Sequence, residues 1–314
     1  MTLPVHREIP DGLNHKTGLK RLGLSPTGDV LALYEYRTRK GYERCNLYAV
    51  AAAAPIDRAG EAQARKTRKL ARDARRLELQ AHFAEEVATL EAEALSAAQA
   101  HWRKGLKKLQ RWAAAPNMLI LDTETTGLAG QIIEIAVVRL DGTPLVNTLV
   151  RPTVAIEEGA HRVHGLTEAD LRDAPSWPEV LALLSPVMQG HWCVAFSADF
   201  DRRACATSNA AHGLSNPLTD AQFWRCAMNA YAPIGWHWSD YHGEWRWTSL
   251  RNACLQQDVP PEAETHRALG GAQALAALMT RLSSAPPELP TTLPDGMTVT
   301  EEDVGWSPEE HPDW

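Results

Sequence analysis

What this 314-residue sequence lacks already excludes several kinds of protein. No apolar run is long enough to span a bilayer, and the opening Met-Thr-Leu-Pro-Val-His-Arg-Glu contains no apolar signal core, so the expected setting is cytoplasmic. The five cysteines, Cys45, Cys193, Cys205, Cys226 and Cys254, are scattered, odd in number and free of any C-x-x-C pair. That argues against a disulfide framework or zinc knuckle and fits a reducing compartment. Residues 57–113 contain no proline, and no Lys or Arg follows Ser284. The eight acids after Ser284 exceed the formal net charge of −7, so the rest of the chain carries about +1. Partner sign must therefore be read segment by segment.

What is present divides into four stretches. Residues 1–56 read as a small α+β accessory unit, with a basic helix at 16–24 and strands at 30–37 and 42–50 around the turn Arg39-Lys40-Gly41. Basic and aromatic side chains interleave there, including Lys20, Tyr34, Tyr36, Arg39, Arg44 and Tyr48. The mixture suits nucleic-acid contact, and it suits equally a solvated hairpin with half-buried tyrosines, which is the simpler reading. Residues 57–116 are rich in Ala, Glu, Lys, Arg and Leu and predict one long charged helix or a helical hairpin, with Gly105 as a weak point. An apolar stripe through Leu70, Leu77, Phe83, Val87 and Leu90 does not hold strict heptads. A connector, a nucleic-acid-binding arm and a protein-partner or self-association surface all remain open.

Residues 117–283 form the main domain. Three strands joined by tight turns, then helix, strand, helix and two further amphipathic helices at 248–257 and 266–282, predict an α/β fold in which helices flank a mixed sheet. Residues 284–314 are acidic and proline-rich, and disorder is expected.

Residues 120–127, Ile-Leu-Asp-Thr-Glu-Thr-Thr-Gly, carry the chemistry. An apolar strand stops at Asp122 and Glu124, and residues two apart on a strand share a face. Two acids crowded on one face repel each other unless a hard cation lies between them. Thr125, Thr126 and Gly127 then form a tight turn in which backbone can approach a ligand. Such parts suit metal-assisted phosphodiester cleavage. Further acids, Asp199 and Asp201, compete at a strand-to-helix junction, where one of them could simply favour the helix dipole. His266 opens the last helix pattern, where it could act as a base, a cap or a surface residue. His161 and His164 read as loop-ordering residues before the helix that Thr167 begins. The tryptophans between 236 and 247 read as base-stacking rings or as a satellite cluster under a long loop.

Taken as a set, these residues resemble the DnaQ-like, or DEDDh, 3′–5′ exonucleases, which have a ribonuclease H-like fold. Residues 121–127 match that family's first motif, residues 161–167 (His-Arg-Val-His-Gly-Leu-Thr) its His-Gly-Ile-Thr stretch, residues 197–203 its Asn-Ala-x-Phe-Asp motif, and residues 266–269 the opening of its third. The resemblance covers roughly half of the chain. It implies that Asp122, Glu124 and Asp201 bind two Mg²⁺ or Mn²⁺ ions, with Asp201 selected over Asp199. It implies that His266 is the general base on the attacking water, and that Thr125, Thr126 and Gly127 hold the terminal nucleotide. The implied reaction is hydrolysis of single-stranded nucleic-acid 3′ ends, DNA favoured, releasing nucleoside 5′-monophosphates. Proofreading or DNA repair is an implied context.

Two positions depart from the pattern. The third motif runs His-x-Ala-x-x-Asp, but here it reads His-Arg-Ala-Leu-Gly-Gly, so Gly271 stands where a metal-binding carboxylate belongs. Ser197 replaces the usual Asn. Glu262 or Glu264 could compensate for Gly271, water could fill the position in a slow enzyme, or the domain could be a catalytically impaired module that binds 3′ ends.

Overall fold

The computed structural model describes residues 2–215, 217–260 and 266–304. Two compact units divide the chain, one ending at Phe83 and the other starting at Ala84. The division falls inside a helix rather than at residues 56 and 116.

In the first unit the elements run β1 (Val5–His6), β2 (Leu13–His15), α1 (Lys16–Arg21), β3 (Leu24–Ser25), β4 (Ala32–Thr38), β5 (Gly41–Ala49), β6 (Ala54–Pro55) and the start of α2 (Arg58–Ala113). β1, β4, β5 and β2 make a four-stranded sheet in that order, with β4 and β5 antiparallel and Arg37 opposite Tyr42. Leu19 of α1 is buried, as are Ala32 and Leu47 on the sheet, and these apolar side chains are the unit's small core. α1 is shorter than the expected 16–24 because Leu24 and Ser25 pair with Ala54 and Pro55.

α2 is one continuous helix and not a hairpin. In the second unit its last turns bury Trp102, Leu106, Leu109 and Trp112 in the main core. Gly105 is a point of close approach rather than a break: a Cβ there would stand 2.3 Å from the carbonyl oxygen of Ala230. The elements that follow are β7 (Met118–Thr125), β8 (Ile132–Val138), β9 (Pro144–Leu149), α3 (Glu158–His164), α4 (Glu168–Leu171), α5 (Trp177–Met188), β10 (Trp192–Ala195) and α6 (Ala198–Ala211). Then come β11 (Trp224–Cys226), α7 (Ala227–Tyr231), β12 (Trp238–Ser239), β13 (Glu244–Trp245), α8 (Leu250–Gln256) and α9 (Ala268–Ser284).

The main sheet has the order β11-β10-β7-β8-β9. β7, β8 and β9 are antiparallel neighbours, and β10 runs parallel to both β7 and β11. Strand alternation sorts the core: Met118, Ile120, Ala136 and Val194 join the cluster of α2, α8 and α9, while Leu119, Leu121, Val137 and Cys193 join that of α5 and α6. The result is the expected mixed sheet flanked by helices. Two of its helix starts carry capping boxes. Ser176 and Glu179 form a capping box on α5, and Thr167 and Asp170 form one on α4.

Residues 285–304 correct the expectation of disorder. The Gln99 amide donates to Pro290 O at 2.8 Å, Trp238 N donates to Asp295 O at 2.8 Å, and Thr298 Oγ1 donates to Asp240 at 2.7 Å. The segment runs as a strap beside the β12–β13 hairpin, because a proline-rich stretch still offers carbonyl acceptors to neighbouring donors. Residues 305–314 lie outside the described residues. Trp236, Trp238 and Trp245 pack on one another at centroid distances of 5.7 and 5.3 Å, and the Trp245 indole donates to His101 Nδ1 at 3.1 Å. The satellite-cluster reading therefore holds for these three. All five cysteines are free thiols, and among the described residues no helix is long and apolar enough to cross a membrane.

Gly105→Ala is expected to cost about 1–3 kcal/mol by forcing α2 away from Ala230. Leu70→Ala, on the exposed part of α2, should stay within about 0.5 kcal/mol. Urea unfolding of the two variants measures the contrast.

Candidate active site

β7 delivers alternate side chains to opposite faces of the sheet as it ends. Asp122 and Glu124 follow Ile120 on the α9 face, and both are half-buried. Thr123 between them is buried on the α6 face and donates to Asp201 Oδ1 at 2.8 Å. Asp201, in the first turn of α6, is only 2% exposed. Asp199 points to solvent and pairs with Arg202 at 3.3 Å, so it is a surface helix-start acid. The strand end thus brings Asp201 to the first two acids from the opposite layer.

Their electrostatics register the crowding. Burial pushes the Asp122 carboxyl well above the usual carboxylate range, and the charges of Asp201, Glu124 and Glu134 push it further. Glu124 is raised to about 7, by burial first and then by Glu134 and Asp201, with Arg267 acting in the opposite direction. Asp201 is also raised, by burial and against the Thr123 hydrogen bond.

Sequence reasoning missed Glu134 and Arg267. Glu134 lies opposite Glu124 in the β7–β8 register and is buried. Arg267 grips it with two donors, Nε at 2.9 Å and an Nη at 2.7 Å, while Ala268 N donates to the same carboxylate at 3.0 Å. This bidentate clamp fixes the start of α9 against β8. The available signal was a lone acid inside the apolar run Ile-Ile-Glu-Ile-Ala-Val-Val, which is costly to bury unless it has a partner.

α9 begins at Ala268, so His266 precedes the helix instead of opening it. His266 is exposed, one residue from the clamped Arg267. Gly271 lies against Asp122: a Cβ built there would stand 2.2 Å from Asp122 Oδ2. The Asp122 carboxylate thus leans into the space that a side chain at 271 would need. Glu262 and Glu264 lie outside the described residues.

The turn after β7 is internally satisfied. Thr125 Oγ1 donates to Gly127 O at 2.8 Å, and Thr126 Oγ1 accepts from Gln131 N at 3.0 Å. A Cβ at Gly127 would meet the carboxylate of Glu157. His161 Nδ1 is 2.9 Å from Leu166 O, and His164 Nδ1 accepts from Leu166 N at 3.0 Å, so both histidines order the loop before α4. Ser197 immediately precedes α6 without a side-chain cap bond.

Hard oxygen donors, buried and mutually repelling, fit divalent cations. Among the described residues no three His, Cys, Asp or Glu side chains already close to metal-ligating spacing.

The exonuclease family model RNase_T matches residues 119–279, slightly more than half of the chain and the stretch that contains this site. An uncharacterized exonuclease, CP81 of Escherichia phage 186, is 30% identical over 176 residues, covering 52% of this chain and 86% of that protein. Exodeoxyribonuclease 10 of Escherichia coli K12 is 33% identical over 164 residues, covering 51% of this chain and 66% of that protein. A solved structure of exonuclease X in complex with 5′-overhanging duplex DNA aligns with 55% of this chain and 95% of its own, at 28% identity and a TM-score of 0.38.

In chelator, the raised carboxyls keep protons in the folded state at pH values where the unfolded chain has released them. Their contribution to stability is complete below about pH 4 and is lost as pH rises through about 7. The thermal midpoint in EDTA is expected to fall over that window, less steeply in Glu124→Gln, and to recover on adding Mn²⁺ at about pH 7.5. Equal slopes in the two proteins would contradict this electrostatic picture. Glu134→Ala is expected to cost about 2–3 kcal/mol in urea unfolding, less than a fully buried pair because the Arg267 side chain is 37% exposed.

Proposed function

We propose, from the premise that this chain belongs to the RNase_T exonuclease family, that it removes nucleotides from the 3′ ends of single-stranded nucleic acid, DNA before RNA. The observation that carries the reading is the convergence of Asp122, Glu124 and Asp201 at the end of β7, within the matched span, with all three carboxyls raised by burial and those of Asp122 and Glu124 raised further by like charge. The similarity to a protein named exodeoxyribonuclease supports the preference for DNA.

The roles are those that the family resemblance implies for these positions. Asp122, Glu124 and Asp201 would hold two Mg²⁺ or Mn²⁺ ions. When bound, such ions supply Lewis acidity and neutralise charge on the attacking and leaving oxygens. His266 accepts the proton of the attacking water. Its exposed ring is open to solvent, and the neighbouring Arg267–Glu134 clamp steadies the backbone that carries it. Thr125, Thr126 and Gly127 receive the terminal sugar and phosphate, their hydroxyls already fixed within the turn. The products are nucleoside 5′-monophosphates, and the setting is cytoplasmic DNA maintenance.

A second reading has its own support. With Gly271 beside it, Asp122 has no opposing carboxylate on α9 with which to share a cation. A protein impaired in this way would bind 3′ ends and cut slowly or not at all.

The test is hydrolysis of a 5′-labelled single strand with Mn²⁺ or Mg²⁺. The expected product is a stepwise ladder that Asp122→Ala and His266→Ala each abolish. Gly271→Asp requires the Asp122 carboxylate to swing aside, as its short side chain can. It should tighten Mn²⁺ binding by calorimetry and raise the cleavage rate about tenfold or more. No ladder from the wild type, with 3′ ends still bound, would establish the second reading instead.

A further inference from the structure

The first unit carries an aromatic face that the exonuclease chemistry does not use. Tyr34 and Tyr36, two residues apart on β4, lie on one side of the four-stranded sheet with ring centroids 5.6 Å apart and planes 16° from parallel. His15 at the end of β2 continues the ladder, 6.3 Å from Tyr34 at 15°. The three rings are half-buried, so their outer faces remain partly open. Ala32 and Leu47, at one end of that face, are buried, as is Leu19 of α1. The rings line a groove of about 550 Å³, with Lys16 and Arg44 at its edge.

Lys16 also lines a second groove of about 370 Å³, with Lys20, Arg65 and Arg68. All four cations are exposed, and none makes an ion pair among the described residues. Glu61 is the single acid among that groove's lining residues. On the ring side Glu43, opposite Tyr36, accepts from the Tyr36 hydroxyl at 3.3 Å, while Glu35 alternates to the other face of the sheet and is held by Arg44 at 2.9 Å. A ladder of flat rings therefore meets a track of free cations at Lys16.

We propose that this unit is a separate binding site for single-stranded nucleic acid, with bases stacking on Tyr34, Tyr36 and His15 and phosphates following Lys16, Lys20, Arg65 and Arg68. Stacking recognises any base by its π-face, and a cationic groove recognises the backbone without regard to sequence. Duplex DNA, whose bases are already stacked, cannot use the rings. The choice of partner rests on the nucleic-acid reading of the exonuclease domain, but binding here needs no catalysis.

The experiment uses the full chain in EDTA and measures anisotropy of a labelled oligo-dT of about 20 nucleotides across a salt series. Tyr34→Ala with Tyr36→Ala should weaken binding about tenfold or more, and the corresponding Phe pair should bind like the wild type. Arg65→Gln with Arg68→Gln should make the log–log salt slope shallower by about 1.4, from two phosphate contacts at ~0.7 each. Oligo-rU binding as tightly as oligo-dT extends the site to RNA and supports it. A blunt duplex binding as tightly as oligo-dT overturns it. Wild-type affinity and salt slope in both double variants also overturns it. If the Ala pair loses the wild-type circular dichroism, the exposed arginine pair decides. The same Asp122→Ala protein separates the two sites: loss of its ladder with oligo-dT binding unchanged supports both readings, and loss of binding with it overturns this one.

Discussion

Four carboxylates that cannot all be charged and close together organise the functional end of this protein. Asp122, Glu124, Asp201 and Glu134 come from three different elements, yet each is raised by, or raises, another of the group. Burial in low dielectric makes every uncompensated charge costly. The fold answers in two ways. Glu134 is neutralised by a guanidinium and a helix N-terminal N–H, and it becomes a fixed structural strut. Asp122, Glu124 and Asp201 make no ion pair of that kind among the described residues, and their carboxyls rise instead.

The strut has consequences for α9. Because Glu134 holds Arg267 and Ala268, the helix start is pinned to β8, and one turn later the helix backbone passes directly over Asp122. At that crossing the residue is glycine. Any side chain there would have to displace the Asp122 carboxylate.

Close approach recurs at Gly105, where α2 lies against the Ala230 carbonyl, so the charged helix ends as part of the exonuclease core. The strap of residues 285–304 and the three packed tryptophans cover a neighbouring surface of that domain. Features that looked like independent appendages along the chain are partly built into the catalytic domain, while the first unit keeps its own small core and its own open aromatic face.

The strand ending in Asp122 and Glu124, the start of α4 at Thr167, and the flanked mixed sheet were legible because period-two alternation and capping residues are local properties of sequence. Residue spacing left Asp199 and Asp201 as rivals, and only the packing of α6 against β7 buried one and turned the other to solvent. The clamp between Glu134 and Arg267, 133 positions apart, was invisible along the chain. So was the fit of Gly271 against Asp122. Local sequence determines which way a side chain points from its own element. What stands opposite it is decided by which elements pack together, and that depends on the whole chain at once.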